Sequence, residues 1–253
     1  MFKRAIVRVP CLNLVKGLTT IDLGVPDYQT ALIQHNQYVE ALKACGLEVI
    51  VLELDNSYPD STFVEDTALL TKHCAIITNP GAPSRRGEVQ GIQSVISQYY
   101  SNIEFIKMPG TVDAGDILMV ESHYYIGISE RTNIDGANQV ILILNRYGYT
   151  GSLVPLKNML HLKSGVAYLE NNNLVASGEF VNNPEFQKHN ILKINDDESY
   201  AANCVWINER VIIPKGFPNS RRTIEDVGYL TVEVDVSEFR KHDGDISCLS
   251  LRF

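Results

Sequence analysis

One recurrence limits the possible folds of this chain more than any other feature. A strand, a tight polar turn, a returning strand and a helix start recur in units that begin at 66, 116, 164, 204 and 248. A two-stranded hairpin with one helix cannot bury its apolar face alone, so such units must stack on one another. The first runs from Asp66 to Thr78 as strand, turn and strand, then continues into a helix with Val89, Ile92, Val95, Ile96 and Tyr99 at apolar positions. The second follows the same plan through Asp116–Val120, a turn at Glu121 and Ser122, Tyr124–Ile128, and a helix carrying Ala137, Val140, Ile141 and Leu144 on one face. The third starts at Ser164, turns at 171–173, returns over Leu174–Ala176, and predicts a short helix from Asn183 with Pro184 in its first turn. The fourth runs from Cys204 to Ile207, turns at Asn208, returns over Val211–Ile213, and predicts a helix from Ser220 that Gly228 closes.

A fifth unit joins the two ends of the sequence. Cys248–Phe253 reads as one strand and Ala5–Val9 as another, and an amphipathic helix spans about Asp27 to Cys45, with Tyr28, Ala31, Leu32, His35, Val39 and Leu42 on one face. Gly46 ends that helix before a strand at Glu48–Leu54. These units leave no room for a Gly/Ser/Pro-rich linker, so the expected organisation is a single α/β domain over 1–253, with five pseudo-repeats closed in a ring. The competing architecture is an open α/β sheet of evenly spaced βαβ units. A ring has a positional consequence, because residues at the start of each first strand crowd around its axis. Here those are Glu65 and Asp66, Asp113 and Asp116, His161 and Ser164, Asn203 and Cys204, and Cys248. Apolar side chains would fill a purely structural centre at less cost, so this polar set marks a functional site.

Composition excludes several functions. The 253 residues carry 22 Lys and Arg against 30 Asp and Glu, a formal charge of −8, with 45% apolar and 21% charged residues. An acidic chain without a basic block is unsuited to nucleic acid and to an anionic membrane surface. Lys3 and Arg4 interrupt the only apolar stretch that could start a signal, and no run reaches the length of a membrane span, so a cytoplasmic location is expected. The five cysteines, Cys11, Cys45, Cys74, Cys204 and Cys248, are scattered without a Cys-x-x-Cys pair, which argues against disulfides and structural zinc.

Within the axial set, Cys248 follows a Gly-containing turn and is a candidate nucleophile, provided that a neighbour helps to form its thiolate. His161 holds the equivalent place in another unit. Asp60, Glu65 and Asp66, with Asp113 and Asp116, group carboxylates that suit either a divalent metal or a delocalised cation such as a guanidinium. Taken singly, each of these also fits a bland role: a buried strand cysteine, a hydrogen-bonded core histidine, or a turn carboxylate capping backbone N–H groups. Arg85 and Arg131 stand at matching helix starts, where the helix dipole disfavours a cation, which points to an anion between them.

The blocks Phe63-Val-Glu-Asp66, Pro80-Gly-Ala-Pro-Ser-Arg-Arg86, Asp113-x-Gly-Asp116, Arg131-Thr-Asn133, His161-Leu-Lys-Ser164 and Asp243-Gly-x-x-x-Cys248 resemble the dimethylargininase (dimethylarginine dimethylaminohydrolase) family, in order and at similar spacing over almost the whole chain. The resemblance implies the pentein fold, a five-bladed α/β propeller, and hydrolysis of Nω-methylated arginine to citrulline and an alkylamine without metal or other cofactor. It places the nucleophile on Cys248, the proton-transferring histidine on His161 and its orienting acid on Asp113. It places guanidinium-binding acids on Asp60, Glu65 and Asp66, arginines for the substrate backbone on Arg85 and Arg131, and a lid over about Cys11–Pro26 with Leu18 as its substrate contact. His242 departs from the family pattern, which has an aliphatic residue there whose backbone carbonyl meets the substrate's α-amino group. The implied partner is a small-molecule arginine derivative, with a homodimer left open. The alternatives are a related guanidine-modifying enzyme, such as an arginine deiminase, amidinotransferase or hydroxyarginine hydrolase, and a non-catalytic pentein-like binding protein.

Overall fold

Five separate three-stranded sheets make up the computed structural model, which describes residues 1–253. Its strands are β1 (Arg4–Arg8), β2 (Glu48–Leu52), β3 (Ala68–Leu70), β4 (Ala75–Ile77), β5 (Ile103–Phe105), β6 (Ile117–Val120), β7 (His123–Ile128), β8 (Thr150–Pro155), β9 (Val166–Tyr168), β10 (Asn173–Ala176), β11 (Asn190–Lys193), β12 (Val205–Ile207), β13 (Arg210–Pro214), β14 (Leu230–Val234) and β15 (Leu251–Arg252). The helices are α1 (Tyr28–Ala44), α2 (Glu88–Ile96), α3 (Ile134–Arg146), α4 (Pro218–Glu225) and the single turn α5 (Ser237–Arg240). In every sheet a short inner strand runs antiparallel to a middle strand, and the middle strand pairs in parallel with an outer one reached by a crossover. The sheet β15-β1-β2 joins the two ends of the sequence, as the repeat arithmetic requires, and an open sheet is excluded.

Each blade wedges its crossover segment against its sheet. Helix α3 starts at Asn133, whose side chain accepts the Gly136 N–H at 2.8 Å, and it buries Ala137, Val140, Ile143 and Leu144 in a cluster with Tyr124 and Ile126. Asp27 caps α1 in the same way, accepting the Thr30 N–H at 2.7 Å, and Gly46 leaves the helix at φ +85°. Two helix expectations are corrected. From Asn183 there is only one 3-10 turn, Pro184–Phe186, because residues 177–189 give the β10–β11 crossover little more than the minimum length. Helix α4 begins at Pro218 rather than Ser220, since the distant Glu198 carboxylate accepts the Asn219 and Ser220 N–H groups and so serves as its cap.

The inner strands β3, β6, β9, β12 and β15 all contribute residues to one central channel, with Leu69, Leu118, Tyr168 and Trp206 among its walls. Just before each inner strand lies a 3-10 turn: Val64–Thr67, Ala114–Asp116, Leu162–Ser164, Asp196–Ala202 and Ser247–Leu249. These five turns close one end of the channel and hold or flank every axial residue named from the sequence. No helix is long and apolar enough to cross a membrane.

Candidate active site

Asp113 and His161 are the residues immediately preceding their 3-10 turns, and both are in extended backbone, so their side chains project from the rim of the turn. The His161 Nε2 lies 3.2 Å from Asp113 Oδ2, and the other Asp113 oxygen accepts the Gly81 N–H at 2.9 Å. That arrangement fixes the imidazole and leaves its Nδ1 without a protein partner. Burial alone would lower the His161 pKa, but Asp66, Asp116 and Asp113 together raise it to about 10, so the ring carries a proton at neutral pH. Asp116 supports the same turn from behind, accepting the Leu162 N–H at 3.0 Å and the Ser129 hydroxyl at 2.6 Å.

Cys248 is buried on the fifth turn, and burial pushes its thiol pKa well above the ordinary value, with Asp245, Asp66 and Glu65 adding to the rise. The resting pair is therefore a thiol beside an imidazolium. A cation entering among these carboxylates would offset them and favour the thiolate.

One cleft collects nine of the ten site residues that the family resemblance implies: Leu18, Asp60, Asp66, Arg85, Asp113, Arg131, His161, His242 and Cys248. Glu65 lies on the neighbouring channel rather than in this cleft. Consecutive residues of the first 3-10 turn diverge, so Asp66 lines the cleft and Glu65 lines the channel on the other side. There Lys163 Nζ lies 2.6 Å and Arg252 Nη2 2.9 Å from Glu65 Oε1, while Ser247 donates its hydroxyl to Oε2 at 2.7 Å.

The two arginines also differ. Arg85 is buried, with Nη1 donating to Asp66, Nη2 to the Phe63 carbonyl at 2.9 Å and to Glu88 at 2.8 Å, and Nε shared between the Glu88 oxygens. The anion it meets belongs to the protein, and one Nη1 hydrogen remains for a ligand. These partners hold its pKa well above the usual value despite burial. The Arg131 guanidinium makes no hydrogen bond or ion pair with the protein, and it is the uncommitted cation of the cleft.

The lid folds over this mouth. Leu18 donates its N–H to Asp60 at 3.0 Å, its carbonyl lies 3.3 Å from His242 Nδ1, and Thr20 donates its N–H to Asp243 at 2.5 Å. Asp66, Asp113 and His161 lie close enough together to hold a metal ion. Arg85 and the Gly115 N–H already donate to Asp66, the Gly81 N–H and His161 engage Asp113, and a protonated imidazole offers a metal no lone pair, a setting that suits a planar organic cation better than a divalent ion. Reasoning from the sequence did not find Glu88, Lys163, Asp245 or Gly115. Glu88 was legible as the i+3 partner of Arg85, whereas Lys163 and Gly115 acquire their roles only through contacts across blades.

Five α/β blades around a cleft that presents a cysteine, a histidine and carboxylates define the class as a pentein. A family model described as N,N dimethylarginine dimethylhydrolase, eukaryotic, matches residues 27–180. The chain is 56% identical to the N(G),N(G)-dimethylarginine dimethylaminohydrolase of Pseudomonas aeruginosa, over 100% of both chains. The solved structure of the P. aeruginosa protein, with a cysteine changed to serine and citrulline bound, superimposes with a TM-score of 0.99 at 55% identity and full coverage of both chains. The same figures hold for a dimethylarginine dimethylaminohydrolase with a histidine changed to glycine, solved as an adduct with S-methyl-L-thiocitrulline. The chain belongs to the dimethylarginine dimethylaminohydrolase family.

Proposed function

We propose that this protein hydrolyses Nω-methylated L-arginine to L-citrulline and a methylamine, with Cys248 as nucleophile. The observation that carries the reading is the single cleft in which Cys248, His161–Asp113 and the guanidinium-binding acids Asp60 and Asp66 stand together with the uncommitted Arg131. The serine and glycine variants of the solved relatives alter a cysteine and a histidine separated by the same number of residues as Cys248 and His161.

In this scheme the substrate guanidinium sits against Asp66 and Asp60 while its carboxylate meets Arg131 and the remaining Nη1 hydrogen of Arg85. Arrival of the cation offsets the anions around Cys248, and the thiol releases its proton to solvent. The thiolate attacks the guanidinium carbon to form a C–S bond and a tetrahedral adduct. Imidazolium His161 gives its proton to the methylated nitrogen, the C–N bond breaks, and the amine leaves a thiouronium on Cys248. Neutral His161 then takes one proton from water as it attacks the same carbon; the C–S bond of the hydroxyl adduct breaks, the electron pair leaves with sulfur as thiolate, and the hydroxyl gives its remaining proton to solvent, which releases citrulline. Asp113 is a positioning residue: its carboxylate accepts the Nε2–H, which leaves Nδ1 as the atom that gives the proton and takes the next one.

The test is citrulline formation from arginine, monomethylarginine, asymmetric dimethylarginine and hydroxyarginine. The methylated substrates should be preferred, whereas turnover of arginine or hydroxyarginine alone would overturn the assignment. A homodimer and a cytoplasmic location belong to the same proposal, tested by light scattering and by fractionation.

A further inference from the structure

When the amine breaks away, the rest of the substrate remains joined to Cys248 and reaches to Arg131, filling the cleft beneath the lid. The amine must nevertheless depart from between Cys248 and His161, and water must take its place. The central channel offers no way through, because Glu65 with Lys163, Arg252 and Ser247 closes that end.

A second pocket adjoins the cleft and shares Leu160 and Asp243 with it as walls. It opens between the two segments that carry the reacting groups: Met159 and Leu160 precede His161 and Ser164 ends its turn, while Asp243 and Asp245 precede Cys248. Asp245 is only 5% exposed, and its Oδ2 accepts the Ser164 hydroxyl at 3.1 Å. Its Oδ1 has no donor from the protein, although the carboxylate lines the pocket. A buried carboxylate oxygen without a donor is unfavourable, and a ligand bearing N–H groups relieves that cost. Charge and shape narrow the ligand. Arg240, stacked over the Tyr200 ring at 4.4 Å, is the one cation on the wall against Asp243 and Asp245, which leaves the pocket one net negative charge. Ile21, Met159 and Leu160 supply apolar surface for methyl groups. Burial pushes the Asp245 pKa up to about 7, and an arriving cation favours its carboxylate form.

Resting on the function proposed above, we infer that this side pocket is the exchange port of the reaction, through which the alkylamine leaves past Asp245 as an ammonium ion and the hydrolytic water enters while the lid stays closed. The amine that His161 releases is neutral. It takes up a further proton from solvent in the pocket, pairs with the Asp245 carboxylate and diffuses out.

The test is product inhibition. Initial rates with monomethyl-L-arginine are measured against added dimethylammonium chloride, with sodium chloride holding the ionic strength constant. Dimethylammonium should lower kcat and leave KM nearly unchanged, since it occupies the port and not the cleft. Asp245→Asn should raise its inhibition constant by roughly 10-fold or more, and Arg240→Met, which keeps an apolar stem on Tyr200 and removes the cation, should lower it by roughly 2- to 10-fold. Inhibition by citrulline should stay within twofold in both. Competition with monomethylarginine, or an inhibition constant that Asp245→Asn leaves unmoved, would overturn the inference. Melting curves check folding, and if Asp245→Asn does not fold, the shift in Arg240→Met decides. Failure of the wild type to turn over monomethylarginine would instead refute the proposed function. In that event an NMR titration of dimethylammonium into wild type, Asp245→Asn and Arg240→Met still decides whether the pocket takes the ion.

Discussion

Replacing Gly115 with alanine should damage catalysis more than folding. Gly115 is the middle residue of the second 3-10 turn, and its backbone φ is negative, so the substitution introduces no backbone strain. Space is the difficulty. A Cβ at this position would stand 2.8 Å from Asp66 Oδ1, 2.9 Å from His161 Nδ1 and 3.0 Å from His161 Cγ. Ordinary contact begins near 3.4 Å, so these groups must retreat by about half an ångström. Neither is free to do so cheaply, since Asp66 is held by Arg85 and by the Gly115 N–H, and His161 by Asp113. A misplacement of about 1 Å at a reacting centre can cost roughly 100-fold, so half that distance at both an acid and a proton donor should lower kcat by roughly 10- to 100-fold. Overpacking by one methyl should cost about 1–3 kcal/mol of stability, leaving the chain folded at 25 °C. Initial rates of citrulline formation, with thermal melts as control, measure both. Turnover within twofold of wild type would refute the claim that this close approach sets the catalytic geometry.

Arg131→Ala should raise KM for methylated arginine by roughly 10- to 100-fold while kcat changes little, because the guanidinium binds a part of the substrate remote from the bond that breaks. An equal loss in kcat would instead place Arg131 in the chemistry. The Cys248 thiol should resist iodoacetamide at pH 7, and Asp245→Asn, by removing one of the anions that raise its pKa, should shift the alkylation profile to lower pH. An unchanged profile would exclude Asp245 from that electrostatic role. Burial lifts Asp116 from 3.8 to about 6, so the folded chain binds this proton more tightly than the unfolded one, and the stability it contributes is greatest near pH 4 and is lost as pH rises through 6. Asp116→Asn should therefore gain on the order of 1–3 kcal/mol relative to wild type between pH 4 and pH 7, and move the His161 titration seen by NMR below about 10. Parallel stability curves and an unmoved His161 would reject the assignment.

The five blades were legible because hairpin starts, turn residues and helix faces repeat, and positive φ at Glu121, Asn171, Asn172 and Asn208 falls where the polar turns were placed. The outer strands β5, β8, β11 and β14 were not located in the sequence. They are half-buried edges that give a weak signal: β5 and β11 are three and four residues long, and β8, Thr-Gly-Ser-Leu-Val-Pro, does not alternate, whereas Leu-Thr-Val-Glu-Val of β14 does. The site was legible as a set of axial positions, yet its internal division was not. Nothing in Glu65-Asp66 indicates that adjacent carboxylates serve opposite sides of the ring, because Lys163 and Arg252, which draw Glu65 away, come from two other blades. Likewise the isolated Arg85 reads as an unsatisfied cation until Asp66 and Glu88 are found closing on it in three dimensions.

The functional groups come from turns on different blades: Asp66 from the first, Asp113 from the second, His161 from the third and Cys248 from the blade that closes the ring. No set of blades that omits one of these four contains a working constellation, so partial unfolding of any of them dissolves the site as completely as global denaturation does. Activity then has no reserve of its own, and its denaturant midpoint coincides with that of the whole ring, which the single Trp206 in the channel wall reports by fluorescence. The lid is the one part exempt from this coupling. It is tied down chiefly by contacts to Asp60 and to residues 238–243, and it can open while every blade stays closed.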